Sequence, residues 1–342
     1  MSLPYGKIHP KFLEKIVFNY LGFKRNDVIL GPSKGEDAAL IKVGKELIVA
    51  SCDPISGSIK NIGWLAVNVS ANDVATRGVK PCWFLSCILL PKNSKLNVLK
   101  AICKQMDLAS KKLEIAIVGG HTEVSLGLTH PIVVGFCAGK VEEGKYVSCN
   151  KAKPGGKIIL TKGAGIEGTA ILATEKEKEL VKFLGKKLIE KAKKYMNLVS
   201  VVKEALMAFN FGGVQAMHDP TEGGVLGGLC ELIEAANLGA KIYEDRIPIN
   251  EETAAICNLF KINPLQLISS GSLLIVADPN KAEKIVNKLK DIGIKASIIG
   301  ETLPNSKERY IISKNGKTRK LLMPKTDELW KALGRKFFKK RF

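Results

Sequence analysis

Apolar residues recur at helical spacing between Pro10 and Leu21 (Phe12, Leu13, Ile16, Val17, Leu21), which predicts an entry helix opened by Pro10 and closed by Gly22. The pattern then changes to strands. "DAALIKVGKELIVASCD", residues 37–53, reads as two strands around a Gly44-Lys45 turn, the second ending at Asp53-Pro54. "NIGWLAVNVSANDVATRG" spaces small and apolar residues on a 3.6 period and stops at Gly78, so it predicts a helix; "PCWFLSCILLP" follows as an apolar strand. Asn97 to Leu113 predicts an amphipathic helix, "EIAIVGGH" a buried strand ending in a glycine pair, and "HPIVVGFCAGKV" a further strand.

The polar Pro-Gly-Gly break in "NKAKPGGK" divides the chain into an N-terminal α/β domain, 1–150, and a C-terminal α+β domain, 151–342. The second domain opens on the strand "KIILT" and continues into a Lys-dense helical stretch from Glu175 to Lys203. It then holds "MHDPTEGGVLGGL", read as a helix start, a strand pair around "SSGSLLIVAD", a helix from Pro279 to Gly293 and the strand "KASIIGE".

Composition narrows the possibilities. With 342 residues, 46% of them hydrophobic, the chain can fill two cores. No signal-peptide core is visible, and "WFLSCILL" falls far short of the roughly 18 apolar residues of a membrane span, so a soluble cytoplasmic protein is expected. The eight cysteines contain no CxxC pair and are read as reduced, small core residues. Lys and Arg exceed Asp and Glu by 53 to 33, a net charge of +20, and much of the surplus lies in the Lys-dense stretch and after Ser306. No base-reading motif accompanies it, so nucleic acid is not expected as the main ligand. Near the end, "DELWKALGRKFFKKRF" places Leu329, Leu333 and Phe337 at four-residue intervals, which predicts a docked basic helix suited to an acidic partner.

The candidate chemistry is a scattered set of acids. Gly163-x-Gly165-x-x-Gly168 after a strand matches a dinucleotide fingerprint, but the residues beyond it are helical and charged where a second strand with a ribose-binding acid is required. Walker A, GxSxG and HExxH sequences are absent. Glu36 and Asp37 follow the loop from Gly31 to Gly35, Asp53 ends a strand, Asn72 and Asp73 lie in a helix, Glu123 follows Gly119-Gly120, and Asp219 and Glu222 open the second-domain helix. Several carboxylates around one cavity are what Mg²⁺ bridging a triphosphate requires. Taken singly, each also fits a structural role: Asp37 and Asp53 as turn residues, Asp73 as a solvated helix residue, Asp219-Pro-Thr-Glu222 as a capping box, and His218 as a neighbour orienting the loop.

Five segments decide between these readings by their order: "GPSKGEDAALI", "CDPISGSIKNIGWLAVNVSANDVATRGVKP", "GGHTEV", "KPGGKIILTKGAGIEGTA" and "HDPTEGGVLGGL". Together they resemble the aminoimidazole ribonucleotide (AIR) synthase superfamily, which includes selenophosphate synthetase and thiamine-monophosphate kinase; the resemblance is nearest to the hydrogenase-maturation protein HypE and HypE-like relatives. It implies a homodimer whose N-terminal sheets pair into a β-barrel, with a C-terminal domain covering a cleft for ATP and Mg²⁺. On that basis Asp37, Asp53, Asp73 and Asp219 are the metal acids, with Asp73 and Asp219 catalytic. Gly35, Glu36, Asn72, Gly119, Gly120, Thr122, Glu123, Glu222, Gly223 and Gly224 complete the nucleotide site. The implied reaction is phosphorylation of an amide, carbonyl or acidic oxygen on a small substrate or a partner's side chain. A thiamine-monophosphate-kinase-like phosphotransferase and a non-catalytic scaffold are the alternatives. The sequence departs from the pattern in three places: it ends "GRKFFKKRF" without the C-terminal cysteine of HypE, it has His121 where HypE-like proteins carry Asp, and its first cysteine, Cys52, is not near the N-terminus as in selenophosphate synthetase.

Overall fold

A computed structural model of the chain describes residues 5–334. Two sheets organise it. The first is built from β1 (Val28–Leu30), β2 (Ala39–Val43), β3 (Glu46–Ile55), β4 (Trp83–Leu90), β5 (Ala116–Val124) and β6 (Ile132–Glu142), in the order β1-β2-β3-β6-β4-β5. All its pairings are antiparallel except β4 with β5. The alternation of β4 shows how the sheet is used: Phe84, Ser86, Ile88 and Leu90 are buried, while Trp83, Leu85, Cys87 and Leu89 are only half-buried on the other face. Of the helices α1 (Pro10–Lys15), α2 (Ile62–Ala75) and α3 (Leu96–Leu113), α2 packs on β3 and β6 and α3 packs on α2.

The second sheet runs β13-β12-β9-β11-β7-β10-β8. Its strands are β7 (Lys157–Thr161), β8 (Val214–His218), β9 (Gly239–Tyr243), β10 (Leu274–Ala277), β11 (Ala296–Leu303), β12 (Arg309–Ile312) and β13 (Thr318–Lys320). The remaining helices are α4 (Ile166–Glu175), α5 (Glu177–Leu184), α6 (Lys186–Lys193), α7 (Val202–Phe211), α8 (Gly224–Ala235), α9 (Glu251–Phe260), α10 (Pro279–Asp291) and α11 (Glu328–Gly334). One face of this sheet packs with α8 residues Val225, Leu229 and Ile233. The other face, through Ile159 and Ile275, belongs to an apolar cluster that continues into Ile62, Leu65 and Phe84 of the first domain. The two sheets therefore share a core, and burial of this kind, at roughly 25 cal/mol per Å² of apolar surface, resists independent motion of the halves.

Several expectations change here. "EIAIVGGH" is not a buried strand. Every residue of β5 is exposed, and the strand runs through the glycine pair to Val124, because β5 is the sheet edge and none of the described residues of the same copy covers it. The entry helix is cut to Pro10–Lys15 plus a single 3₁₀ turn, Val17–Asn19, since only Pro10 is buried and Ile16, Val17 and Leu21 face solvent. The Lys-dense stretch is broken at Gly185 into two eight-residue helices, α5 and α6. Cys137, Cys149, Cys230 and Cys257 are buried, but Cys52 and Cys103 are exposed. In the tail helix Leu329 is buried and Leu333 packs on the core; Phe337 lies outside the described residues. Among the described residues no helix is long and apolar enough to cross a membrane.

Candidate functional site

Four elements bring acids to the seam between the sheets. Asp37 stands just before β2, Asp53 near the end of β3, Asp73 in α2, and Asp219 one residue beyond β8. Carboxylate oxygens of Asp37, Asp73 and Asp219 all lie within 4.8 Å of one another. Ser51 joins Asp53 to the group, donating to Asp73 Oδ2 and lying 3.3 Å from Asp53 Oδ2. Burial, and then the charges of Asp53 and Asp219, drive the Asp73 carboxyl well above the ordinary carboxylate range. Asp219 moves the same way, through burial first and then Asp37 and Asp53, with His218 opposing. Its two oxygens are buried and have no hydrogen-bond partner. An orphaned buried carboxylate among like charges is costly, and oxygen donors of this kind fit a hard divalent cation.

Asp37 behaves differently from its neighbours. Burial alone would raise it, but His218, Arg77 and Lys7 together hold it below the usual value. His218 Nδ1 lies 2.7 Å from Asp37 Oδ1, and Nε2 lies 3.1 Å from Glu231 Oε2. Burial disfavours a charged ring, yet these carboxylates outweigh it and keep His218 well above its ordinary pKa. The imidazole is thus a buried link between the domains rather than a loop neighbour. Lys7 Nζ reaches Glu231 Oε1 at 2.8 Å and adds a second positive charge beside the acids.

Several residues expected at a nucleotide have protein partners in the structure. Glu36 accepts from the Arg77 guanidinium and from the backbone N–H groups of Cys149 (3.3 Å) and Asn150 (3.2 Å), so it ties the inter-sheet connection to α2. Asn72 is saturated by second-domain backbone: its Nδ2 donates to Val199 O and its Oδ1 accepts from Val201 N, both at 2.8 Å. At Gly35 a Cβ would lie 2.3 Å from Glu231 O, so this glycine permits close packing on α8. Gly224 likewise meets the Leu267 carbonyl, at 2.6 Å from an added Cβ.

Asp219-Pro-Thr-Glu222 is not a capping box. Helix α8 begins at Gly224, and the Gly223 N–H donates to Asp327 Oδ2 at 2.7 Å, so the capping acid comes from far along the chain. Burial pushes Asp327 up to about 7, against the donors Leu329 N–H and Gly223 N–H. Glu222 instead accepts from Lys7 N at 2.7 Å and Trp330 Nε1 at 3.3 Å, holding the N-terminal segment against α11.

Gly119, Gly120, Thr122 and Glu123 do not join this chain's acids. They sit on β5, three strands from β3, or about 14 Å at normal strand spacing. Glu123 is paired locally with His121, at 3.1 Å, and with Ser125.

Beside the acids a cleft of about 900 Å³ opens between the domains. Asp53, Ile55 and Ile132 form its first-domain wall, and Glu167, Thr221 and Ser270 face them. Sequence reasoning missed Lys7, Arg77, Glu231 and Asp327. Arg77 alone left a signal, as a charge inside an otherwise small and apolar helical pattern.

Two sheets with a shared core and buried acids beside an interdomain cleft define a two-domain protein with a candidate polar-ligand and cation site at its seam. Residues 35–141 match the AIR synthase related protein N-terminal domain, and residues 153–313 match its C-terminal domain. The chain belongs to the AIR synthase related protein family. It is 29% identical over 308 residues to a protein of Methanocaldococcus jannaschii described as a hydrogenase expression/formation protein, covering 86% of this chain and 88% of that one. It is 26% identical to carbamoyl dehydratase HypE of Bradyrhizobium diazoefficiens, over 79% of each chain. Its fold is similar to that of a hydrogenase maturation protein HypE crystallised with ATP, with a TM-score of 0.68, 19% identity and coverage of 96% and 98% of the two chains.

Proposed function

We propose that this protein binds ATP with Mg²⁺ at the seam between the sheets and phosphorylates an amide or carbonyl-type oxygen of a small substrate or partner group. The observation that carries the reading is the buried, unpartnered Asp219 carboxylate converging with Asp37 and Asp73. Asp53 and Asp73, joined through Ser51, and Asp219 from the second domain would hold the metal, which in such transfers neutralises charge developing on the phosphates. Lys7 and His218 balance the acids, and the cleft walls exclude bulk water from the reacting group. The relative crystallised with ATP supports the nucleotide, and the carbamoyl dehydratase supports an amide oxygen as acceptor.

Isothermal titration tests this reading. Wild-type protein is expected to bind ATP with Mg²⁺, and Asp73→Ala and Asp219→Ala to weaken binding at least about tenfold, roughly 1.4 kcal/mol. No binding at millimolar nucleotide, or undiminished binding in both variants, overturns it.

The same reading includes a homodimer formed through β5. Ile117, Val118 and Val124 are 43%, 54% and 62% exposed on an unpaired edge strand, beside the half-buried outer face of β4. A long apolar edge of this kind invites pairing with another strand. In such a dimer Gly119, Gly120, Thr122 and Glu123 would serve the second copy's nucleotide, not their own. Light scattering on Val118→Lys is expected to show a monomer where the wild type is a dimer; a monomeric wild type, or a variant that stays dimeric, refutes the interface.

A further inference from the structure

Asp37 also belongs to a second group of ligand atoms, different in chemistry from the acid cluster. A carboxylate oxygen of Asp37, the sulfur of Cys149 and a ring nitrogen of His218 all lie within 4.8 Å of one another. They come from three separate places: the loop before β2, a 3₁₀ turn at Cys149–Lys151 in the connection between the sheets, and the end of β8. Cys149 and His218 are buried, and Asp37 nearly so.

Each ligand is held from behind. Glu36 accepts from Cys149 N, and the Cys149 thiol donates to Met217 O at 3.3 Å. Glu231 lies 3.1 Å from His218 Nε2 and is itself paired with Lys7, which leaves Nδ1 turned to Asp37. A carboxylate on the outer nitrogen is the usual device that orients a metal-binding imidazole. Nδ1 is 2.7 Å from Asp37 Oδ1 but not in hydrogen-bonding geometry, so this buried nitrogen has no hydrogen-bond partner. A cavity of about 90 Å³, lined by Lys7, Glu36, Asp37, His218 and Glu231 among others, opens onto the pair. A water takes up roughly 30 Å³, so there is room for an ion to enter and for a water as fourth ligand.

We propose that Asp37, Cys149 and His218 form a site for Zn²⁺ whose occupancy excludes Mg²⁺ and ATP. Sulfur and imidazole ligands select zinc, whereas Mg²⁺ takes oxygen. Zinc bonds of about 2.0–2.3 Å set tetrahedral ligand atoms roughly 3.3–3.7 Å apart, so the ion would part Asp37 from His218 slightly and draw in the Cys149 sulfur. Zinc accepts electron pairs from the Cys149 sulfur, His218 Nδ1 and Asp37 Oδ1, and the thiol proton and the Nδ1 proton leave to water. Two positive charges enter as two protons leave, so the balance among Arg77, Lys7, Glu36 and Glu231 around the site is unchanged. Asp37 Oδ2 is already spent on Thr76 Oγ1, at 3.1 Å, and Arg77 Nη2, at 3.4 Å. Oδ1 is thus the one oxygen that Asp37 can offer to either cation. The exclusion rests on the ATP reading of the acid cluster; the zinc site itself does not.

The test uses the full chain without nucleotide, titrated with Zn²⁺ against a competing chelator and with Co²⁺ as a coloured substitute. Wild type is expected to bind zinc, and its Co²⁺ complex to show a thiolate-to-metal charge-transfer band. Cys149→Ser, whose hydroxyl can still donate to Met217 O, should lose that band and at least about 100-fold in zinc affinity, more than loss of an outer hydrogen bond costs. Its ATP affinity should match the wild type, which confirms a folded protein. Asp219→Asn should do the reverse, keeping most of its zinc affinity while losing ATP with Mg²⁺. Saturating ATP with Mg²⁺ should weaken zinc binding by at least about tenfold, and zinc should weaken ATP by the same factor. The proposal is overturned if the wild-type Co²⁺ complex has no thiolate band, a result that needs no variant. It falls equally if Cys149→Ser keeps the band, since the ion then sits on another thiol such as the exposed Cys52 or Cys103, or if Asp219→Asn loses zinc and ATP together. ATP with Mg²⁺ that binds yet leaves zinc affinity unchanged overturns the sharing of Asp37. A wild type that binds zinc as described but no ATP overturns the nucleotide reading alone.

Discussion

Asp219→Asn is expected to make the nucleotide-free protein more stable at neutral pH while removing most of its affinity for ATP with Mg²⁺. The reason is electrostatic. Asp219 is 1% exposed, its oxygens have no partner, and it lies within 4.8 Å of Asp37 and Asp73. Burial and its neighbours raise its folded-state pKa well above that of an unfolded aspartate. A carboxyl raised in this way favours the folded state when protonated. That contribution is fully present below the ordinary carboxylate range and is lost as pH rises through the raised value. At neutral pH the ion-free protein therefore carries the cost of ionising clustered acids. Asparagine removes the charge with nearly the same shape, for an expected gain of about 1–3 kcal/mol. The gain should shrink toward pH 4.

Thermal unfolding with and without ligand checks both halves of this expectation. Wild type should gain stability on adding ATP and Mg²⁺, by mass action on the folded state, and the variant should not. An Asp219→Asn protein less stable than wild type at pH 7.5 without nucleotide would show that Asp219 is a structural acid and that its unpartnered carboxylate is no sign of a cation site. Stability and function would then not oppose each other here, as they do where an active site is held under strain.

Arg77→Met is expected to cost about 3–5 kcal/mol, because it takes the guanidinium charge away from two buried carboxylates. Arg77 is fully buried; its Nη1 donates to Glu36, and its Nη2 lies 3.4 Å from Asp37 Oδ2. Its carbonyl accepts from Val147 N at 3.0 Å, and Glu36 in turn holds Cys149 and Asn150. The arginine thus fastens the connection between the sheets to α2. The intact pair is worth less than its removal costs, since both ions were taken out of water and Arg77 Nε has no partner. Urea unfolding of Arg77→Met, Glu36→Gln and the double variant measures this. The double variant should be more stable than the sum of the single losses predicts, by roughly 1–3 kcal/mol of coupling. A loss below about 1 kcal/mol in Arg77→Met, or strict additivity, contradicts the account.

Much of the fold was legible because hydrophobic period is a local property. The helix over "NIGWLAVNVSANDVATRG" and the strands "DAALIKV" and "KIILT" fall where their spacing places them, as α2, β2 and β7. The glycine pair of "EIAIVGGH" was misjudged for the complementary reason. Alternation and apolar content do not distinguish a central strand from an edge strand, since that depends on which strands pair and whether another chain covers the edge. The entry helix failed similarly: its period was correct, but no partner buries Ile16 and Val17.

Within the site, the residue types and their order marked Asp37, Asp53, Asp73 and Asp219 as candidates by virtue of an ordered set of motifs. Only tertiary structure could decide which motif residues reach one another. It brought Asp37, Asp73 and Asp219 within 4.8 Å, turned Glu36 toward Arg77, spent Asn72 on second-domain backbone and supplied the α8 cap from Asp327, 104 residues beyond Gly223. The sequence by itself determined most of the helices and strands and the acids available, because these follow from short-range periodicity and residue chemistry. The three-dimensional structure alone determined which acids are buried without a partner and which are neutralised, because desolvation and Coulomb energy depend on distances that the order of residues does not contain.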